Sequence, residues 1–205
     1  MRHEVYGPFV PGESPFKVKG VAYQGLVASF DGRVPGGYAG VLEKIADPEA
    51  HAFLAQRFLA GSTYDILPLL EASMTAARVA GIPWREFVRG GARRQAERDL
   101  NGVYRMFLRL ASAGMVVERL PRILVQYLTF GQLEGEQIGP TRYEAKIAGI
   151  PKVVSPWLDC VGEGFVPFVM SAAGAKSARF VIHPNEPGGD VRGMELVNAR
   201  FAIVW

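Results

Sequence analysis

Chemistry-bearing side chains are scarce in this chain. Its 205 residues include one cysteine, Cys160, and three histidines, His3, His51 and His183. A lone thiol excludes an intrachain disulfide framework and any multi-cysteine metal site. The histidines are scattered, so no metal site is expected either. Long apolar runs are also missing. The longest stretch without Asp, Glu, Lys or Arg is the twelve residues from Gly164 to Ala175, well short of the ~18–20 that a membrane span needs. Residues 1–19 carry Arg2, His3, Glu4, Glu13, Lys17 and Lys19 with no apolar core between them, so no secretory leader and a cytoplasmic location are expected. Phosphate-cradling motifs are absent: Gly36-Gly37 and Gly90-Gly91 fit neither GxxxxGK(S/T) nor a GxGxxG that follows a strand.

What is present is apolar and globular. Hydrophobic residues make up 49% of the chain, enough for a sizeable core, and the length suits one domain. The net charge of +3 is unevenly spread. Between Trp84 and Arg109 stand seven arginines (Arg85, Arg89, Arg93, Arg94, Arg98, Arg105, Arg109) against three acids (Glu86, Glu97, Asp99), a local balance of +4. On a helix, Arg94, Arg98, Asn101, Arg105 and Arg109 share one stripe. Such a stripe is either a solvated face or a docking surface for an acidic protein partner. No interleaved aromatics or nucleic-acid motif accompany it, so a nucleic-acid partner is not expected.

Along the chain, Pro8, Pro11 and Pro15 make residues 1–16 read as an extended arm. Val18 to Phe30 fits a helix or a buried strand, and the DGRVPGG run from Asp31 then breaks the chain. Asp47-Pro48 caps a helix expected to run through Leu59, and Asp65 can cap the next, with Ile66, Leu70, Met74 and Ala77 on one face. The strongest helical period runs from Gly91 to Ala111, through Ala96, Leu100, Val103, Tyr104, Phe107, Leu108 and Ala111. Another apolar helix follows through Tyr127, with Pro121 kinking it. Beyond Phe130 the period becomes two: Leu133–Ile138 and Tyr143–Ile147 form a hairpin about Gly139-Pro140. Pro156–Ala173 reads as a buried helix, Ala178–His183 as a strand, Pro184–Asp190 as a loop, and Val197 to Trp205 as a last strand. The expected class is α+β. A helical part (17–128) packs on a four-stranded antiparallel sheet part (129–205) of order β-β-α-β-β.

This order resembles the heme nitric-oxide/oxygen-binding domain and its relatives, the four-vinyl-reductase domain and the TRAPP transport-particle subunits. The similarity rests on Val18–Ile45 (VKGVAYQGLVASFDGRVPGGYAGVLEKI) and Val79–Gly90 (VAGIPWREFVRG). Within that group the chain resembles a myxobacterial paralogous family over Lys17–Trp205, through Tyr64–Leu70, Arg94–Leu110, Leu120–Leu133 and the terminal FAIVW. The heme-binding relatives imply an axial histidine between Met115 and Leu128, and that region has none. They also imply a Tyr-x-Ser-x-Arg motif in the first hairpin, which here reads Tyr143-Glu-Ala-Lys-Ile. No heme, and no other cofactor, is therefore expected. The resemblance further implies a homodimer formed through N-terminal helices.

Enzymatic constellations are thin. Cys160 has Asp159 beside it, but neighbouring helix positions face different ways, and its histidine partner would have to be the distant His183. Glu134, Glu136 and Glu163 could pair as carboxylates or simply decorate solvent faces. The fold implied by the resemblance holds a cavity between helices and sheet, which Tyr64, Tyr104, Phe107, Tyr127, Trp157 and Phe165 would line. The same residues packed to native density would leave no space, and the sequence does not choose between the two. The function expected is non-enzymatic: a regulatory or sensory module binding a small hydrophobic ligand, a protein partner through Arg94, Arg98, Arg105 and Arg109, or both. The alternatives are a heme or gas sensor with atypical ligation, or a thiol-dependent enzyme using Cys160.

Overall fold

The computed structural model describes residues 2–101 and 112–205. In chain order its elements are α1 (Arg2–Tyr6), β1 (Lys17–Lys19), α2 (Gly20–Phe30), α3 (Gly37–Leu42), α4 (Pro48–Leu54), β2 (Thr63–Asp65), α5 (Leu67–Ala80), α6 (Trp84–Asn101), α7 (Ala113–Val117) and α8 (Leu120–Tyr127). Then come β3 (Gln132–Gly139), β4 (Arg142–Pro151), α9 (Ser155–Ala172), β5 (Arg179–Val191) and β6 (Met194–Val204). Helices come first and a four-stranded antiparallel sheet of order β3-β4-β6-β5 last, the α+β arrangement read from the periodicity.

The sheet sorts its side chains by the two-residue period. Tyr143, Ala145, Phe201 and Ile203 are buried on one face. Register pairs Lys146 with Arg200 and Arg200 with His183 on the other, where His183 meets Glu144 at 3.3 Å and Arg200 meets Glu186 at 2.9 Å. Helix α9 lies on the apolar face, between β5 and α6. Two glycines permit that closeness: a Cβ on Gly164 would lie 2.2 Å from the Arg89 carbonyl oxygen of α6, and one on Gly162 2.5 Å from the Phe180 ring.

Several elements differ from the sequence reading. The expected arm begins as helix α1, whose Val5 and Tyr6 are buried, and Phe9 and Phe16 follow them into the core. Its prolines fall after the helix and do not oppose it. The ambiguous Val18–Phe30 segment is both things at once, its first residues in β1 and the rest in α2. Helix α4 stops at Leu54 rather than Leu59, because the chain turns there to stack Phe58 on Tyr23 at 4.1 Å. The α7–α8 segment breaks before Pro121, which sits in the first turn of α8 instead of kinking one long helix. The PNEPGGD run is not a loop but the second half of β5. As an edge strand it tolerates proline, and its register shifts between His183 and Glu186 and between Pro187 and Gly189. Of the long helical period, α6 starts earlier, at Trp84, and positions 102–111 lie outside the described residues.

A buried polar network pins the N-terminal segment to α5. Asp65 accepts hydrogen bonds from the backbone N–H groups of Gly12 (3.0 Å), Ser14 (2.9 Å) and Leu67 (3.0 Å) and from the Ser14 hydroxyl. The sequence reading made Asp65 the cap of α5; the N-cap position is Ile66, and Asp65, one residue earlier, takes the first N–H of the helix instead. The Tyr6 hydroxyl donates to Glu71 at 2.6 Å, and burial together with that carboxylate drives the phenol far above its ordinary range.

Candidate functional site

Helices α2, α6, α8 and α9 meet the apolar face of the sheet around a cavity of about 270 Å³. It exceeds the ~150 Å³ engineered voids that stay dry and take benzene or xenon, and lies just under the ~300–1,000 Å³ of drug-sized sites. Its walls include Leu26, Val88, Leu124, Val161, Phe165 and Phe201. The facing sides of α2 and α6 carry short residues there, Ala22, Gly25, Gly91 and Ala92, whose side chains take up little of the space.

Polar groups at the wall are few and occupied. The Ser29 hydroxyl donates to the Leu26 carbonyl at 2.7 Å. That of Ser73 donates to the Leu70 carbonyl at 2.7 Å and accepts from the Trp84 indole at 2.9 Å. One end differs. Arg33, from the turn after α2, lies 4.1 Å over the Phe87 ring and donates through Nη2 to the Phe87 carbonyl at 2.9 Å. Its Nη1 is buried with no partner among the described residues. Burial, aided by the charge of Arg94, pulls the Arg33 guanidinium down to about 10.

Of the residues expected at a cavity, Tyr127, Trp157 and Phe165 stand on its wall. Tyr64 does not. On β2 it joins an aromatic cluster with Tyr23, Phe53 and Phe58, and its hydroxyl accepts the Leu59 backbone N–H at 2.8 Å. Tyr104 and Phe107 lie outside the described residues, as do Arg105 and Arg109. Arg94 and Arg98 are exposed on α6. Both lean toward α2 and its following turn: Arg98 reaches Gln95 Oε1 at 2.7 Å and the Gly25 carbonyl at 3.5 Å. The reading missed Arg33 and the whole α2 wall. Arg33 sits in a glycine-rich break that looked like a linker, and nothing in its spacing marks it.

The thiol alternative meets obstacles. Cys160 is fully buried, and burial pushes its thiol up, with Arg85 opposing that shift and Glu163 and Asp159 adding to it. His183 stands on the opposite face of the sheet from α9, so no imidazole reaches the sulfur. The three carboxylates are dispersed: Glu134 pairs with Lys146 at 3.9 Å, Glu163 with Arg89 at 3.7 Å, and Glu136 is exposed on β3. Among the described residues no His/Cys/Asp/Glu group could hold a metal ion, and no helix is long and apolar enough to cross a membrane.

Comparison with known proteins places the fold. The chain is similar to H-NOX structures. These include a mutant from T. tengcongensis (TM-score 0.60, 9% identity, 91% of this chain and 96% of that one) and the Fe(II) unliganded protein from K. algicida (0.58, 12%, 91% and 95%). A third is the Fe(II)NO form from S. oneidensis (0.59, 12%, 90% and 97%). The protein therefore has an H-NOX-like α+β fold. No family model matches the sequence, and no curated protein does either.

Some of the H-NOX structures with this fold are described as heme proteins, so the donors at this cavity are compared with what heme needs. Heme iron is held by a histidine, a thiolate, a thioether or a phenolate. The described cavity wall contains no His, Cys, Met, Lys or Arg, and its one phenol is Tyr127. Positions 102–111 add neither histidine nor cysteine. A heme held in this cavity by imidazole or thiolate does not fit these residues.

Proposed function

We propose that this chain is a non-enzymatic sensory or regulatory module that takes a small hydrophobic ligand into the cavity between its helices and sheet. The observation that carries the reading is an almost wholly apolar, part-open 270 Å³ space between the helices and the sheet, where close packing would leave none. Its lining from α2, α6, α8 and α9 couples an occupant to four helices at once, which is how occupancy would reach the surface. Native mass spectrometry of the protein prepared without denaturant tests this. A bound species of a few hundred daltons, released on unfolding, is the expected result; a bare 22.4 kDa chain that also fails to take up apolar dyes opposes it.

The fold neighbours favour a second reading, a heme or gas sensor with atypical ligation, over the first. Within the described wall it would rest on Tyr127. Titration with hemin decides: a saturable Soret band lost in Tyr127→Phe supports it, and no band closes it. The membership in a myxobacterial paralogous family and the homodimer belong to the proposal as well. Exposed Ile123 and Val125 on α8 offer apolar surface for a second copy. A light-scattering mass of one chain at micromolar concentration would remove the dimer. The exposed Arg94 and Arg98 remain the proposed contact for an acidic partner.

A further inference from the structure

A second concavity runs along an outer edge of the sheet. Its walls are the consecutive residues Ala178 to Ile182, with Glu163 and Pro167 of α9 and Arg89 of α6. A run of consecutive strand residues presents its backbone edge, because its side chains alternate between faces. β5 is an end strand, so every second residue there turns its N–H and C=O away from β6. The two halves of this edge differ. Beyond His183 it is guarded by Pro184 and Pro187 and by two register shifts, devices that oppose pairing with a further strand. From Arg179 to His183 it has no proline and pairs with β6 without a shift. The facing wall adds an acceptor: Pro167, inside α9, has no N–H to give the Glu163 carbonyl one turn earlier.

Charge selects what fits this edge. Arg89, Arg179 and Lys176 stand exposed around it against one acid, Glu163, which lies 3.7 Å from Arg89. Arg179 and Lys176 have no ion-pair partner among the described residues. We propose that the unguarded half of β5 docks an extended acidic peptide of a partner protein, added to the sheet as a fifth strand. Its alternate residues are apolar against Pro167 and acidic beside Arg179. The other end strand, β3, carries Glu134 and Glu136 and would repel such a peptide. A second copy would bring the same cations to the same edge. The Phe180 side chain also belongs to the cavity wall, but docking at its backbone needs no ligand there, so the proposal is independent of the cavity reading.

The test is titration of the isotope-labelled full chain with a capped octapeptide of alternating glutamate and valine, followed by backbone amide NMR. Saturable shifts are expected at Arg179–His183 and in α9 beside Pro167, with none along β3. A peptide with lysine in place of glutamate should bind at least about fivefold more weakly, the factor that exposed ion pairs supply. The glutamate peptide N-methylated at every residue should not bind, since strand addition needs its N–H groups. Arg179→Glu, at an exposed position, should erase the glutamate peptide's advantage while amides away from β5 stay in place, which also shows that the variant folds. No saturable shift at β5 overturns the proposal, as do shifts centred on β3 or an undiminished advantage in Arg179→Glu. Equal binding of the N-methylated peptide overturns strand addition, and equal binding of the lysine peptide overturns the acidic partner. If the same β5 amides shift with protein concentration alone, a second copy takes the edge and the peptide partner is refuted.

Discussion

The helical half of this protein contains two polar centres built in opposite ways, one fully buried at Asp65 and one part-exposed at Arg33. Around Asp65 every oxygen is used: it gathers two backbone N–H groups from the N-terminal segment, the Ser14 hydroxyl and the N-terminal N–H of α5. Around Arg33, a part-exposed residue behind the cavity wall, Nη2 is spent on the Phe87 carbonyl and Nη1 is buried without a partner among the described residues. The first centre is complete within the chain and acts as a staple. The second leaves one donor unused. Buried polar groups are normally satisfied, and Arg33 Nη1 is an exception that stacking of its guanidinium on the Phe87 ring partly offsets.

That contrast can be broken by substitution. Asp65→Ala should have the largest effect, about 3–5 kcal/mol, because it strands several buried donors at once; chemical denaturation would report it, and a loss under 1 kcal/mol would mean the N-terminal segment is not stapled there. Next come paired enlargements. Leu70→Phe in the filled core around α5, where Leu70 is fully buried, should cost about 1–3 kcal/mol by overpacking. Val161→Phe, which points new volume into the cavity wall, should cost less than about 1 kcal/mol on the same logic. Equal losses from the two would indicate that the cavity is as tightly packed as the rest.

The smallest expected effect concerns a carboxylate. Burial holds the Asp159 carboxyl above its usual value of 3.8, with Arg85 opposing and Glu163 adding to the shift. A group whose folded-state pKa is raised destabilises the fold once pH rises through that value and it must ionise. Asp159→Asn should therefore raise Tm modestly at pH 7, and the gain should disappear as pH falls toward 3.8. A pH-independent difference would assign the effect to packing instead.

How far the sequence carried the structure follows from what each signal encodes. The two-residue period of Tyr143–Ile147 and of Val197–Ile203 reports a half-buried sheet directly, and the Asp47-Pro48 cap is local chemistry, so these elements were legible. The extension of β5 through Pro184 and Pro187 was not, since only its edge position makes proline tolerable there. The cavity could not be read at all. Leu124, Val161 and Phe165 have the same pattern whether they touch one another or face a void, because periodicity fixes which side of a helix is buried and not how closely its neighbour approaches. Arg33 was hidden for a related reason: its partners Phe87 and Gly91 are brought to it by tertiary packing of α6.

The central claim is that the core contains a ligand-accepting space at this cavity. Its most direct test is titration of the wild type and Val161→Phe with N-phenyl-1-naphthylamine, following dye fluorescence. The account predicts saturable binding of one dye per chain in the wild type and its loss in Val161→Phe, with both proteins melting at similar temperatures. No saturable binding by the wild type, or equal binding by the two, would contradict it.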